Sequence, residues 1–502
     1  MSKTTAPSPI AAPTSTPVVA GAPLRRIGTL SLILMIVAAS APLTVVAGGV
    51  TSNFGVTASF GVPLSFVVLG LVLVIFSVGY TAMSTRITAA GAFYSYVARG
   101  LGSVPGVGAA WVALVCYNAM QIGIYGMFGY ATADLVSSLT GAHIAWWVWA
   151  LVGWLIVGIL GINAVDLSAK VLGVLVALEF VVVLVFDLFG LGDAPGGVTS
   201  AGLVPSDLFA PGIGAVLAFS VAAFMGFESG SIYSDEVKDP RRTVRRATYG
   251  AVIVIGVFYA FSAWAMIVGV GRGSVLKASA TDGPGVVFGL LAGHLPKFAV
   301  DIAQLLFVTS LMAALVSFHN VVSRYLRSLS RDRVLPRFLT YSAGAGKAPV
   351  AGSFTQSGLA LVVLVIFAIV GTGAADPIMF PVLTLFTWLT NMGALGLVAL
   401  MALTSFAAYG YLRAHRGETG LWTRVIAPWV AGLALVVMTV LIIVNFPVLV
   451  GADSDSVLNW LLPAIVVVPG IVAAVWTLWL KRAKPEVYRG IGHAKDDGDV
   501  LL

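Results

Sequence analysis

Val37-Ala-Ala-Ser-Ala-Pro-Leu-Thr-Val-Val-Ala-Gly-Gly-Val50 is an apolar stretch that a regular helix cannot cross without interruption. Pro42 has no N–H and its ring crowds the preceding turn. Gly48 and Gly49 loosen the same stretch. A second such stretch is Ala222-Ala-Phe-Met-Gly-Phe-Glu-Ser-Gly-Ser-Ile-Tyr233, where Gly226 and Gly230 bracket Glu228. Two apolar runs that break near their centres predict free backbone groups at membrane depth. In folds built from inverted repeats, such breaks aim helix N-termini at anionic groups and unwound carbonyls at cations. Two kinked helices packed through small residues would give the same pattern, because Gly and Pro are common in membrane helices.

Outward from these stretches the whole chain reads as membrane. Of 502 residues, 59% are hydrophobic and 10% charged, and the mean hydropathy is +1.00. A soluble domain carries roughly 25% charged residues. A helix needs about 20 apolar residues to cross the hydrocarbon core. Runs of that kind fall at 30–52, 61–83, 104–135, 144–162, 167–190, 212–236, 247–271, 297–324, 352–371, 377–410, 424–449 and 458–480. Lys and Arg set the orientation, since short cytoplasmic loops are enriched in them. With the N-terminus inside, the inner loops receive Arg86, Arg99, Lys170, the basic groups within 238–246 and 324–347, then Arg413, Arg416 and Arg424. The outer loops hold only Arg272, Lys277 and Lys297 of the 28 Lys and Arg. A basic surface for nucleic acid would not alternate loop by loop, so the net charge of +7 reports topology and no nucleic-acid partner is expected. Both termini are expected in the cytoplasm. The interrupted runs are the first and the sixth. They enter the bilayer from opposite sides, as a 5+5 inverted repeat requires.

Four short motifs follow in order: Ala89-Ala-Gly-Ala-Phe-Tyr-Ser-Tyr-Val-Ala-Arg-Gly-Leu-Gly102, Phe224-Met-Gly-Phe-Glu-Ser229, Asp235-Glu-Val-Lys-Asp-Pro-Arg-Arg-Thr-Val244, and the stretch from Asn320 to Pro336 that begins Asn-Val-Val-Ser-Arg. Together they resemble the amino acid–polyamine–organocation (APC) superfamily of permeases, from about Arg26 to Arg489. The resemblance implies an all-α polytopic membrane protein with 12 transmembrane helices. The fold would be the leucine-transporter-type 5+5 inverted repeat, with broken helices 1 and 6 plus two peripheral helices. It also implies a secondary transporter for an amino acid or amine, working by alternating access. Where the family has Gly-Ser-Gly in its first span, this chain has Ala39-Ser-Ala-Pro42, which alters the usual cradle for a substrate carboxylate.

The resemblance and the breaks together suggest residues for the chemistry. A substrate carboxylate would meet backbone N–H groups near Ser40, Ala41 and Pro42. Its ammonium would meet carbonyls near Phe224, Met225 and Gly226, with Phe224 as a gate. Tyr117, Asn118 and Gln121 in the third span and Trp388 and Asn391 in the tenth are the other pocket candidates. A carboxylate at mid-membrane costs roughly 2.5–3.5 kcal/mol, so Glu228 and Glu179 default to functional hypotheses. Glu228 sits where the family keeps a Glu that ties the broken helix to its neighbours. Glu179 sits where proton-coupled relatives place a Lys. No cation lies within a turn or two of Glu179 on its own helix, which makes it a candidate to load and release the coupling proton. It could equally ligate Na⁺ with hydroxyls and carbonyls, and Thr309, Ser310 and Ser317 are the oxygen donors expected from the eighth span. Helix packing is the competing role for each of these side chains.

Other classes fit less well. Cys116 stands alone in an apolar run, which excludes a disulfide framework and a thiolate cluster. Gly190-Leu-Gly-Asp193 has the form of an intramembrane aspartyl-protease motif but falls at the end of a span, where a turn is expected. No enzyme activity, cofactor or metal is expected beyond a coupling proton or Na⁺. The expected organisation is a cytoplasmic tail at 1–24, a first repeat at 25–190, a second at 191–416, peripheral helices at 417–481 and a tail at 482–502. The expected location is the plasma (inner) membrane, and the expected partners are a small-molecule substrate and the lipid bilayer. An amino acid/amine antiporter, a polyamine transporter and a non-transporting nutrient sensor share these features. The mild preference is for a neutral or apolar amino acid.

Overall fold

The computed structural model describes residues 28–87, 92–163, 169–228, 237, 239–343, 348–415, 419–451 and 455–491. The expected N-terminal tail and residues 492–502 lie outside these, as do 229–236 with Gly230, parts of the first and third motifs, and Lys238, Lys347 and Arg416. Regular structure among the described residues is helical. In chain order the helices are α1 (Thr29–Ala39), α2 (Thr51–Thr57), α3 (Val62–Ser84), α4 (Ala92–Leu101), α5 (Ser103–Thr140), α6 (Trp146–Ile162) and α7 (Ala169–Asp193). Then come α8 (Pro205–Leu208), α9 (Ile213–Ala223), α10 (Pro240–Val270), α11 (Val275–Asp282), α12 (Gly285–Ala292) and α13 (Lys297–Arg331). The last are α14 (Val350–Gly371), α15 (Thr387–Ala414), α16 (Ala427–Val444), α17 (Phe446–Val450), α18 (Leu458–Ala483) and α19 (Pro485–Gly490).

Nine of these, among the described residues, are long and apolar enough to cross a bilayer: α3, α5, α7, α10, α13, α14, α15, α16 and α18. They coincide with nine of the expected runs. The other three runs fall on shorter helices, each with a local reason. The 144–162 run is α6, with 17 residues. The 30–52 run is divided between α1 and a π-helical segment, Thr44–Val50, that leads into α2. The 212–236 run begins as α9 and stops after 11 residues, at Ala223.

The first interruption is local chemistry. The proline ring disfavours the right-handed helical region for the residue before it. Ala41, which precedes Pro42, takes φ +50°, a left-handed conformation that costs a non-glycine residue roughly 1–2 kcal/mol. Pro42 then starts the second helical half, where its missing N–H is no loss. Gly48 and Gly49 do not break the chain again; they lie within the π-helical segment. The second interruption turns at Gly226, with φ +101°, which glycine adopts without a Cβ clash. The Asn53 amide of α2 donates to the Val216 carbonyl of α9 at 3.2 Å, so the two interrupted elements touch.

Burial separates a centre from a lipid-facing rim. The most apolar windows of α5 and α15 are 78% buried, whereas that of α14 is 22% buried and that of α18 33%. The 38 residues of α5 extend for about 57 Å, well beyond a hydrocarbon core of about 30 Å. Leu359, Val362, Ile366 and Ile369 of α14 are exposed apolar side chains on the rim. Lipid tails cover such a surface without penalty.

Candidate functional site

The two interruptions face a buried cavity of about 60 Å³. Ser40, Ala41, Thr44, Val45 and Gly49 line it from the first interrupted element, and Phe219, Ala222, Ala223 and Met225 from the second. Met120 and Ile124 of α5, Ala314 and Phe318 of α13, and Phe386 and Thr390 before and within α15 complete the wall. The polar side chains among these are Ser40, Thr44 and Thr390, and none of the lining residues is charged. The volume holds a few water molecules and is far below the roughly 300 Å³ of an ordinary small-molecule pocket. A second pocket of about 300 Å³ lies between α6 and α14 and is lined by Trp146, Trp147, Leu364 and Ile369, with Thr372 its one polar residue.

Ending a helix at Ala39 and restarting it at Pro42 leaves the first N–H groups of the new segment without intrahelical acceptors. The Leu43 N–H is one of them. It donates to Glu179 Oε2, from α7, at 3.2 Å. The Ser310 hydroxyl of α13 donates to the same oxygen at 2.9 Å, and the Thr44 hydroxyl donates to Ser310 Oγ at 3.0 Å. Glu179 therefore caps the restarted helix from outside, where the partial positive charge of a helix N-terminus favours an anion. It is 3% exposed, and among the described residues no cation pairs with it. The carboxylate and the two hydroxyls are also the oxygen donors that a hard cation accepts. On the other side of the break, the Ser40 hydroxyl lies 2.7 Å from the Val37 carbonyl and 2.7 Å from Tyr259 Oη.

The second break is held by its own carboxyl. The Gly226 N–H donates to Glu228 Oε2 at 3.0 Å, and the Tyr117 hydroxyl of α5 donates to Oε1 at 2.9 Å. The Tyr80 hydroxyl of α3 donates to the Glu228 backbone carbonyl at 3.0 Å. Tyr117 packs against Phe318 and Tyr325 of α13. Glu228 thus ties the interruption to α3 and α5, and through Tyr117 to α13.

Among the candidates from the sequence, Ser40, Ala41 and Met225 line the cavity, and Pro42 and Gly226 shape the breaks beside it. Glu179 with Ser310, and Glu228 with Tyr117, form the two carboxyl clusters. The remaining candidates face elsewhere. Phe224 packs on Phe66, with ring centroids 6.4 Å apart. The Asn118 amide donates to its own helix, at the Leu114 carbonyl. Gln121 joins a buried polar group with His319 and Gln356, between α5, α13 and α14. The Trp388 indole donates to the Val450 carbonyl of α17. The Asn391 amide donates to Thr387. Thr309 and Ser317 donate to carbonyls of their own helix, and Ser317 is exposed.

Sequence reading passed over Thr44, Met120, Ile124, Phe219, Phe318, Phe386 and Thr390. Helical phase could have found several of them. Met120 and Ile124 are four apart, as are Phe386 and Thr390, and such pairs share a face. Residues 27–470 match a family model described as amino acid permease.

Proposed function

Because this chain belongs to the amino acid permease family, within the APC superfamily, we propose that it is a proton-coupled secondary transporter that moves a neutral, apolar amino acid by alternating access. The observation that carries this reading is the position of Glu179. One carboxyl on α7 receives both a backbone N–H from the first break and a hydroxyl from α13. Charge-assisted bonds of this kind are about twice as strong as neutral ones. Protonation converts an acceptor oxygen into a donor and weakens both bonds, which leaves the Thr44–Ser310 hydrogen bond as the remaining tie in this cluster between the break and α13. Ala41, two residues before Leu43, lines the cavity, so proton and substrate act on one backbone segment.

The substrate carboxylate is directed to N–H groups around Ser40 and Ala41, and its ammonium to carbonyls around Phe224 and Met225. The apolar wall of Met120, Ile124, Phe219, Phe318 and Phe386 suits an uncharged side chain. In this reading 12 helices cross the plasma membrane as two inverted halves, 25–190 and 191–416, with peripheral helices at 417–481. Both termini are cytoplasmic. One charge crossing 100 mV is worth about 2.3 kcal/mol, which supports about a 40-fold gradient at 1.4 kcal/mol per tenfold.

The test is uptake of a panel of radiolabelled amino acids and amines into proteoliposomes, with an imposed proton gradient, a sodium gradient, or neither. Concentrative uptake of apolar amino acids under the proton gradient is expected. Uptake under sodium alone would assign the Glu179 cluster to Na⁺. Flux only between preloaded vesicles and medium would replace symport by exchange.

A further inference from the structure

Eight residues beyond Glu179 the same helix carries a second carboxyl, Asp187, that the sequence reading did not single out. It is 1% exposed. Its Oδ2 accepts a hydrogen bond from the Ser262 hydroxyl of α10 at 2.8 Å. Its Oδ1 is buried and has no partner among the described residues. The α7–α10 contact that holds this pair is close: a Cβ on Gly269 would lie 2.4 Å from Gly190 Cα. A buried carboxyl with a free oxygen and no paired cation is costly, and packing alone would favour an apolar residue.

Among the described residues, no charged group on the packed faces neutralises Asp187. On α10 the sequence from Tyr249 to Val270 holds no Lys, Arg, Asp, Glu or His, and Ser262 is the group there that bonds Asp187. α1 and α12 carry no titratable residue. At the near end of α13, Lys297 pairs with Asp301 and reaches Ser138 of α5. Gln304 of α13 donates to Asp134 of α5.

Polar groups instead lead from Asp187 back to the first break. Ser262 and Tyr259 are three apart on α10 and share a face. Tyr259 Oη lies 2.7 Å from Ser40 Oγ, and three residues after Ser40 the Leu43 N–H donates to Glu179. In the other direction α7 ends at Asp193, which lies 3.0 Å from His294 Nε2. The His294 ring stacks on Phe189. The Leu290 carbonyl and then the Asp193 carboxylate hold His294 above its usual protonation range. The distribution of Lys and Arg assigns this end to the outer side. Along the helix, Glu179 to Asp187 is about 12 Å and Asp187 to Asp193 about 9 Å.

We propose that Asp187 is a proton relay between the outer surface at Asp193 and His294 and the coupling carboxyl Glu179, by way of Ser262, Tyr259 and Ser40. A proton from outside water binds the Asp187 carboxylate. It passes along the hydroxyls, bridged by water across the one-turn gap between Ser262 and Tyr259 and again between Ser40 and Glu179, which share no direct hydrogen bond. It ends on Glu179, and Asp187 returns to its anionic form. No other bond changes. This rests on the proton-coupled reading above.

The experiment compares wild type, Asp187→Asn, Asp187→Glu and Glu179→Gln in proteoliposomes. The probe is a mixture of radiolabelled L-amino acids, and a trapped pH dye reads proton entry. Two modes are measured: proton-driven uptake, and counterflow, which exchanges substrate with no proton gradient. Asp187→Asn is expected to slow driven uptake and proton entry roughly 100-fold, the lower end of what loss of a positioned proton-transfer group costs. Its counterflow is expected to stay within about twofold of wild type, a difference of less than 0.5 kcal/mol. Asp187→Glu keeps a titratable group and is expected to recover driven uptake. Wild-type driven uptake in Asp187→Asn overturns the relay, and so does failure of Asp187→Glu in protein that still performs counterflow. If Glu179→Gln also drives uptake normally, the underlying coupling assignment fails instead.

Discussion

Replacing Glu179 by Gln preserves its size and one acceptor oxygen but removes the titratable proton. The expected outcome is loss of pH-driven accumulation while substrate binding, read by protection or fluorescence, persists. Unchanged accumulation across an imposed pH gradient would remove Glu179 from the coupling step. Tyr117→Phe removes one of the donors to Glu228. A buried acceptor that loses a partner costs about 1–3 kcal/mol, so the variant is expected to unfold at a lower temperature in detergent and to turn over more slowly. Both carboxyls were visible in the sequence because a charge inside an apolar run has no cheap explanation. Their partners were harder to see. Ser310 could not be told from Thr309 or Ser317 without knowing which face of α13 meets α7. Asp187 escaped notice for a related reason: near the end of an apolar run, burial depends on how neighbouring helices pack, here α10.

The first interrupted helix shows what local chemistry decides and what it leaves to packing. Pro42 predicts a break and the structure has one, with the strain carried by Ala41 at φ +50°. Gly48 and Gly49 suggest a break and instead sit in a widened helical turn, because glycine permits irregular backbone without imposing it. Pro42→Ala restores the N–H and lifts the restriction on Ala41. It favours a continuous helix by the roughly 1–2 kcal/mol of left-handed strain relieved, which corresponds to about a tenfold shift in the equilibrium between broken and continuous forms. Initial uptake rates are expected to fall to that extent. A rate equal to wild type would show that Glu179, rather than Pro42, holds the break. In the tenth expected span, the resemblance and the breaks point to Trp388 and Asn391, whereas Phe386 and Thr390 line the cavity.

At the scale of the molecule, hydropathy located every long helix among the described residues and burial ranked them, with α5 and α15 at the centre and α14 and α18 on the rim. What hydropathy could not give is the volume at the centre. The cavity between the breaks is about 60 Å³, and a site that admits a small molecule encloses roughly 300 Å³ or more. On the alternating-access reading, growth by that difference draws in on the order of eight waters at about 30 Å³ each. On that reading, opening is work against osmotic pressure. Turnover in proteoliposomes is expected to slow as a membrane-impermeant osmolyte is raised equally on both sides, with the logarithm of the rate falling linearly in osmotic pressure. The slope counts the waters that enter, and so reports how wide the cavity opens.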